Sequence, residues 1–492
     1  MPRGSGFGVG RLRSARLPVI RWWNLAVSGS IGLSALVMVI RLDAQGLTGD
    51  EGFTAQMVKL PWARMVSDLG RIDYNMSAHY LALKAWTEVF GTSEVALRIP
   101  SVLFALGALV LWHKLAKSVL SSRVAIVATA FLALNPFFIE VGLTARPYAM
   151  LVFWGALATL ALVRALDSQT RRNWLWYAVA AVVGLHVHLM AALVIAAHAA
   201  FALFYQRRFN RYNLEAMALI VALGIVPTVM FLAPADTLSW IGPFSLPRAA
   251  VVALDVAGGG IFGAVVVALA LFGIVRRPLK RRMRWLPSLL LVTPVLLILA
   301  LAPLQSLFVD FYFSVIIAPL AEAAAFGLAW VMKQWETLLV PVGLVVAGLG
   351  LAFSLATGGI SSHQGWRDLP SMLAGSVMKG DVIAFPNPYY RIVAEYYSPD
   401  PSAGPYPPGG PTMPTAAWGS LRPYQLDRLT RTGGQALPEV YLPQTLGHER
   451  IWLVGLGNST EQGVGQDLEA NGYRLADIVT SGNSEAVLYV AG

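Results

Sequence analysis

Apolar runs close to the roughly 20 residues that carry a helix across a bilayer recur along this chain, separated by short polar gaps in which Lys and Arg collect. They fall at residues 25–41, 96–113, 124–141, 147–163, 174–187, 189–205, 215–233, 250–275, 286–302, 311–331 and 338–357. The pattern predicts an all-α polytopic membrane module of about 11 transmembrane helices over residues 25–357. Residues 174–205 are one continuous apolar stretch. As a single helix it would reach about 48 Å against a hydrocarbon core of about 30 Å. Two short helices meeting near His186-Val187-His188 are predicted instead, with their turn at the outer face. Residues 43–95 are too polar to cross and form the first outer loop. Within that loop His79 to Phe90 places Tyr80, Leu83, Trp86, Val89 and Phe90 on one helical stripe, which predicts an amphipathic helix lying in the membrane interface.

After Thr357 the pattern changes. Gly358-Gly359-Ile360-Ser361-Ser362 reads as a linker, while Gly380 to Phe385 and Arg450 to Gly455 read as buried strands. Helical patterning at Tyr390 to Tyr397 and Gln466 to Asn471 completes a small C-terminal α/β domain over 358–492. Residues 399–414, rich in Pro and Gly, predict a long loop. No repeat of fixed period is visible.

Composition agrees with the membrane reading: 56% of residues are hydrophobic and 13% charged, whereas about a quarter are charged in a soluble domain. The placement of charge adds an orientation. Arg3, Arg11, Arg13, Arg16 and Arg21 precede the first span, and later clusters sit at Lys114, Lys117 and Arg123; Arg164, Arg171 and Arg172; Arg207, Arg208 and Arg211; residues 276–284; and Lys333. With eleven spans every cluster falls on one side, cytoplasmic by the positive-inside rule. The expected layout is a basic cytoplasmic N-terminus (1–24), a plasma-membrane module, and an extracytoplasmic C-terminal domain of net charge −4 in a chain of net +10. The basic excess is then explained by orientation and by anionic membrane lipids, with no nucleic-acid partner. No secretory cleavage site follows the first span, so it is expected to be an uncleaved anchor. The absence of cysteine excludes disulfides, thiolate chemistry and Cys-based metal sites.

The candidate chemistry begins with Asp50 and Glu51, which follow the first span in Gly46-Leu47-Thr48-Gly49-Asp50-Glu51-Gly52. A carboxylate at the mouth of a lipid-embedded pocket can take the proton of an acceptor hydroxyl. In an extended loop neighbouring carboxylates point to opposite sides, so one would face the acceptor while the other orients a backbone group or a cation. The alternative is a solvated pair or a helix-start cap. Arg146, just before Pro147, can hold phosphate oxygens bidentately while Tyr148 supplies a hydroxyl or a stacking face; a snorkelling anchor is its alternative. Arg98 and Arg248 are further candidates for phosphate or sugar. His186 and His188 could join Asp50 or Glu51 around a divalent cation, or be hydrogen-bonded pocket histidines; no metal is required. Asp73, Asn75 and His79, with Tyr74, would line an acceptor cleft or face water. Asp255 and Glu322 fall inside predicted spans, where a carboxylate is costly enough to imply a buried partner or a transport role.

Three motifs carry a resemblance: Thr48 to Thr54 around the acidic pair, Phe90-Gly91-Thr92-Ser93-Glu94 running on to Ser101, and Thr144-Ala145-Arg146-Pro147-Tyr148-Ala149. In this order the chain resembles bacterial GT-C glycosyltransferases of the protein O-mannosyltransferase and aminoarabinose transferase type. The likeness takes in the His186 region and Trp366-Arg367 leading to Gly380-Asp381, as in actinobacterial membrane mannosyltransferase-like proteins. It implies a polyprenyl-phosphate sugar donor, a hexose such as mannose, Asp50 as base, and inverting transfer to a hydroxyl of an extracytoplasmic glycan, lipid or protein. It implies no required cofactor. One departure stands out: Asp310-Phe311-Tyr312 occupies the place where relatives often carry an Arg-Tyr pair, so another cation must hold the phosphate. The competing functions are a lipid or solute transporter, for which internal inverted repeats are expected and none is visible, and a non-catalytic membrane scaffold.

Overall fold

The structure, a computed structural model, describes residues 22–72, 74–205, 210–232, 241, 243–276, 285–303, 307–358, 365–369, 373, 376–378, 381–385, 388–397, 447–457 and 459–492. The first basic cluster, Asp73, Arg207, Arg208, residues 277–284 and the 399–414 loop lie outside the described residues.

In chain order the helices are α1 (Trp22–Arg41), α2 (Gly49–Lys59), α3 (Trp62–Ile72), α4 (Ser77–Phe90), α5 (Glu94–Val119), α6 (Ser122–Ala133), α7 (Pro136–Leu143), α8 (Tyr148–Ser168), α9 (Arg171–Val187), α10 (Ala191–Tyr205), α11 (Arg211–Leu232), α12 (Leu246–Val256), α13 (Gly260–Arg276), α14 (Trp285–Leu301), α15 (Ile317–Val331) and α16 (Leu339–Ala356). Each of the apolar runs is occupied by a helix or by a bent pair. Among the described residues six helices are long and apolar enough to cross, or eight if each bent pair is one span, so length and composition do not establish the expected eleven.

The bends have local causes. The 250–275 run, expected as one span, breaks by 93° between α12 and α13, where Gly258, Gly259 and Gly260 all take positive φ, a backbone region costly for residues with a Cβ. The 124–141 run bends by 55° between α6 and α7. There Asn135 caps the new helix by accepting from the Phe138 amide at 3.1 Å, and Pro136 lacks the N–H that would continue the old one. The predicted break in 174–205 lies at His188–Met190, between α9 and α10.

The first loop is more helical than expected. The predicted amphipathic helix is α4, with Tyr80 and Leu83 buried and Trp86 half-buried, but Val89 and Phe90 are exposed. Ahead of it α2 and α3 pack a small core of Phe53, Met57, Met65, Leu69, Met76 and Tyr80.

The terminal domain adds a four-stranded sheet ordered β1-β2-β4-β3: β1 (Val382–Ala384), β2 (Arg450–Gly455), β3 (Tyr473–Ser481) and β4 (Ser484–Ala491). Only β1–β2 is parallel, with Ile383 opposite Trp452. Helices α17 (Pro388–Tyr397) and α18 (Ser459–Ala470) accompany it. Buried Asp381 organises one edge, accepting from Trp452 Nε1 at 3.0 Å and Arg450 Nε at 2.8 Å. The apolar core of the domain is shared with the first loop and α5: Trp366, Val393 and Trp452 belong to one cluster with Leu47, Ala55 and Val58 and with Leu97 of α5.

Within the membrane module α13 and α15 meet backbone to backbone. A Cβ on Gly273 would lie 2.1 Å from the Ala323 carbonyl oxygen, and one on Gly327 would lie 2.0 Å from that of Leu269. Gly327→Ala should therefore force the helices apart and cost about 1–3 kcal/mol, read as a lowered melting temperature in detergent. Gly348→Ala in α16, where a Cβ meets nothing within 4 Å, should leave it unchanged.

Candidate active site

The sequence around Asp50 builds a helix start. Thr48 is the N-cap of α2: its side chain accepts from the Glu51 amide at 3.3 Å, while Glu51 Oε2 accepts from the Thr48 amide at 3.0 Å. This capping box replaces the extended loop expected for the pair. Helical geometry turns adjacent side chains about 100° apart, and the two carboxylates meet opposite fates.

Glu51 is buried, and about four lone-pair directions are open to a carboxylate. All are taken. Its Oε1 accepts from Arg98 Nε and from the Ala145 amide, both at 2.9 Å, and its Oε2 accepts from Arg98 Nη2 at 2.8 Å and from Thr48. Burial alone would raise its pKa, but the Arg98 charge and these donors outweigh it and hold the group below the usual glutamate value. Arg98 is equally committed. Beyond Glu51 it donates through Nη1 to the carbonyls of Leu42 (3.0 Å) and Gln45 (2.8 Å), and through Nη2 to that of Gly46 (3.0 Å). All five of its N–H groups are used. Glu51 thus takes the second part expected of the pair, holding a cation and backbone amides, and has no vacancy for an acceptor proton; the expectation that Arg98 contacts phosphate is corrected, because it has no donor left. Together they fix the loop.

Asp50 faces a cleft also lined by Arg41, Glu140, Arg146, Tyr148 and Phe311. Its side chain is 61% exposed, and Oδ2 lies 3.9 Å from Arg146 Nε, so charge attracts it without consuming its oxygens. Arg146 is buried, with Nη1 3.2 Å from Tyr80 OH and 3.4 Å from Thr54 Oγ1. Tyr148 stacks on Phe311 with centroids 4.8 Å apart. Arg41 ends α1, and its Nε is buried with no hydrogen bond to any described residue. The sequence reading did not single out Arg41. It also passed over Glu140, although an acidic residue inside the 124–141 run carries the same signal that marked Asp255 and Glu322.

The remaining candidates lie elsewhere. Asn75 and His79 are buried but do not line the cleft, and Arg248 donates to the Phe308 carbonyl at 3.1 Å outside it. His186 donates to the Val182 carbonyl at 3.0 Å within α9, whereas His188 accepts from the Met190 amide at 3.1 Å and turns toward Tyr148 and Tyr312. The two histidines therefore diverge. No group of three His, Asp or Glu side chains suited to a metal is found among the described residues. Asp255, expected within a span, is exposed in the last turn of α12; Glu322 is buried in α15.

Burial, and then the Arg146 charge, hold His79 and His188 down at about 3; His188 itself adds to the effect on His79. Between about pH 6.5 and 3 the unfolded chain binds protons that these folded histidines refuse, so stability falls on acidification by about 1.4 kcal/mol per pH unit for each. Replacing either by Gln should flatten that slope in melts followed from neutral to mildly acidic pH. The depressed Glu51 pKa acts lower: its pair stabilises above the usual glutamate pKa and is lost as pH falls below it. At neutral pH Glu51→Gln should cost about 3–5 kcal/mol, because it strands a buried guanidinium.

A family model described as dolichyl-phosphate-mannose-protein mannosyltransferase matches residues 78–231, a segment that holds Arg98, Glu140 and Arg146 but not Asp50. No curated protein matches the chain. Among solved structures, ArnT from Cupriavidus metallidurans bound to undecaprenyl phosphate aligns over 95% of this chain and 98% of its own, at 12% identity and a TM-score of 0.59. The same enzyme in the apo state aligns over 95% and 97%, at 12% identity and a TM-score of 0.55. The arrangement of the described residues, membrane helices and terminal sheet together, is thus an ArnT-like GT-C fold.

Proposed function

We propose that the chain is a membrane glycosyltransferase that moves a sugar from a polyprenyl-phosphate donor to an acceptor hydroxyl, with Asp50 as base. The observation that carries this reading is the division of labour in the acidic pair. Glu51 is saturated and buried, while Asp50 is exposed to the cleft 3.9 Å from a buried arginine. The undecaprenyl phosphate in the ArnT structure of the same fold supports the class of donor. The mannose in the description of the matching family model supports a hexose.

In the proposed step the Asp50 carboxylate takes the acceptor O–H proton as the acceptor oxygen attacks the anomeric carbon. The bond from that carbon to the phosphate oxygen breaks, and its electron pair leaves on the phosphate. A single displacement from the opposite face inverts the configuration. A phosphate anion needs positive charge rather than a proton, and Arg146 and Arg41 supply it at the cleft wall. Arg41 is the cation we assign to the place left by the Arg that Asp310-Phe311-Tyr312 lacks.

The charge layout supports an extracytoplasmic site. Arg276 stacks on Trp330 at 4.6 Å, Lys333 lies over the same ring, and Arg123 pairs with Glu336 at 3.1 Å, all at the ends of helices that lead away from the cleft. The positive-inside rule makes that end cytoplasmic.

With purified protein and a polyprenyl-phosphate sugar, Asp50→Asn should lower turnover by about 10²–10⁴-fold while donor binding persists. Arg146→Gln and Arg41→Gln should instead weaken donor binding. Glu140→Gln is the internal control, since Glu140 is the rival carboxylate of the cleft. Full turnover by Asp50→Asn, with loss in Glu140→Gln, would transfer the base role and sink this assignment.

A further inference from the structure

The loop from Leu42 to Leu47 joins Arg41 to the N-cap of α2, so its shape sets where the arginine and Asp50 sit in the cleft that both line. It is gripped from two sides. From within the membrane module Arg98 binds the carbonyls of Leu42, Gln45 and Gly46. From the terminal domain Arg367 donates to the carbonyls of Asp43 and Gln45, both at 3.0 Å, and the Tyr397 hydroxyl accepts the Leu47 amide. Glu94, the first residue of α5, ties this second grip to the membrane module by accepting from both Arg367 and Tyr397.

Helix α17 reinforces the grip directly behind the acidic pair. A Cβ on Gly52 would lie 2.7 Å from Val393 Cβ and 2.9 Å from its Cα, so only glycine allows α17 to seat so closely on the first turn of α2. About two turns along, Lys59 lies 4.6 Å over the Tyr396 ring. Among the terminal-domain side chains that reach the first loop, Arg367, Val393, Tyr396 and Tyr397 meet α2, its entry loop and the 92–94 segment. None of them lines the cleft.

We propose that the terminal domain is a positioning element, in which Arg367 and Tyr397 act as positioning residues that hold the 42–47 loop so that Asp50 and Arg41 keep their mutual geometry. This rests on Asp50 being the base. These side chains then govern turnover rather than recognition of donor or acceptor: loosening the loop misplaces a base by a fraction of its reach without removing a cleft-lining group. Misplacement of about 1 Å is enough to cost about 10²-fold in rate.

The test uses the full-length protein in detergent, with hydrogen–deuterium exchange over residues 46–60 measured beside turnover of a polyprenyl-phosphate sugar. Arg367→Ala should speed exchange in that segment and lower kcat by about 10–100-fold, with donor KM and Kd held within about twofold; Arg367→Lys should recover part of both. Should Arg367→Ala fail to fold, Tyr397→Phe keeps the ring and removes only the hydroxyl, and the same pattern is expected at smaller amplitude. Unchanged exchange over 46–60, or a loss carried by KM with kcat intact, would overturn the proposal. Faster exchange together with a fully active Asp50→Asn would locate the failure in the base assignment and would overturn the positioning role while leaving the grip as a structural contact.

Discussion

The buried pair between Glu51 and Arg98 is the contact on which the site depends. Neither charge could stay in so dry a place alone, and each is fully satisfied by the other and by backbone: the carboxylate accepts four hydrogen bonds, two of them from Arg98, and the guanidinium gives five, three of them to carbonyls. Such a pair is weak evidence for net stability, since burying two ions costs about as much as their attraction returns. Its value here is geometric. It joins α1, α2, α5 and the Ala145 turn before α8 at one point, and so fixes the turn that presents Asp50.

Around that point α2 has several faces with different duties. Glu51, Ala55 and Val58 face Arg98 and the core shared with the terminal domain, Phe53 and Met57 face α3 and α4, and Asp50 and Thr54 face Arg146. A helix held on all but one side has one carboxylate to offer. The terminal domain is part of this enclosure, because Trp366 and Val393 bury themselves against the first loop as well as within their own sheet.

The membrane helices break where the site needs them to. The α6–α7 bend, the α12–α13 glycine turn and the 3-10 turn Asp310–Ile316 converge at the cleft end: Asn135 Nδ2 binds the Val256 carbonyl at 3.2 Å, and Phe137 packs on Phe311 at 5.5 Å. Irregular backbone is tolerated at membrane depth only where protein or a polar cavity satisfies it.

Much of this was legible in the chain itself. Apolar run length and the grouping of Lys and Arg are one-dimensional properties, so the helical membrane module, the broken 174–205 run and the terminal strands, expected at 380–385 and 450–455 and found at 382–384 and 450–455, could be read directly. Residue type likewise marked Asp50, Glu51, Arg98 and Arg146 as the groups worth following. The resemblance singled out Asp50 as base and Arg146 came ahead of Arg98, but residue type by itself could not show why, because chemically equal groups differ only in what surrounds them. The Arg98 that saturates Glu51 lies 47 residues away, and the turn that exposes Asp50 is set by a capping box and by a domain more than 300 residues further on. Arg41 and Glu140 escaped notice for the same reason. Burial, hydrogen-bond saturation and the direction a side chain faces belong to the folded chain alone.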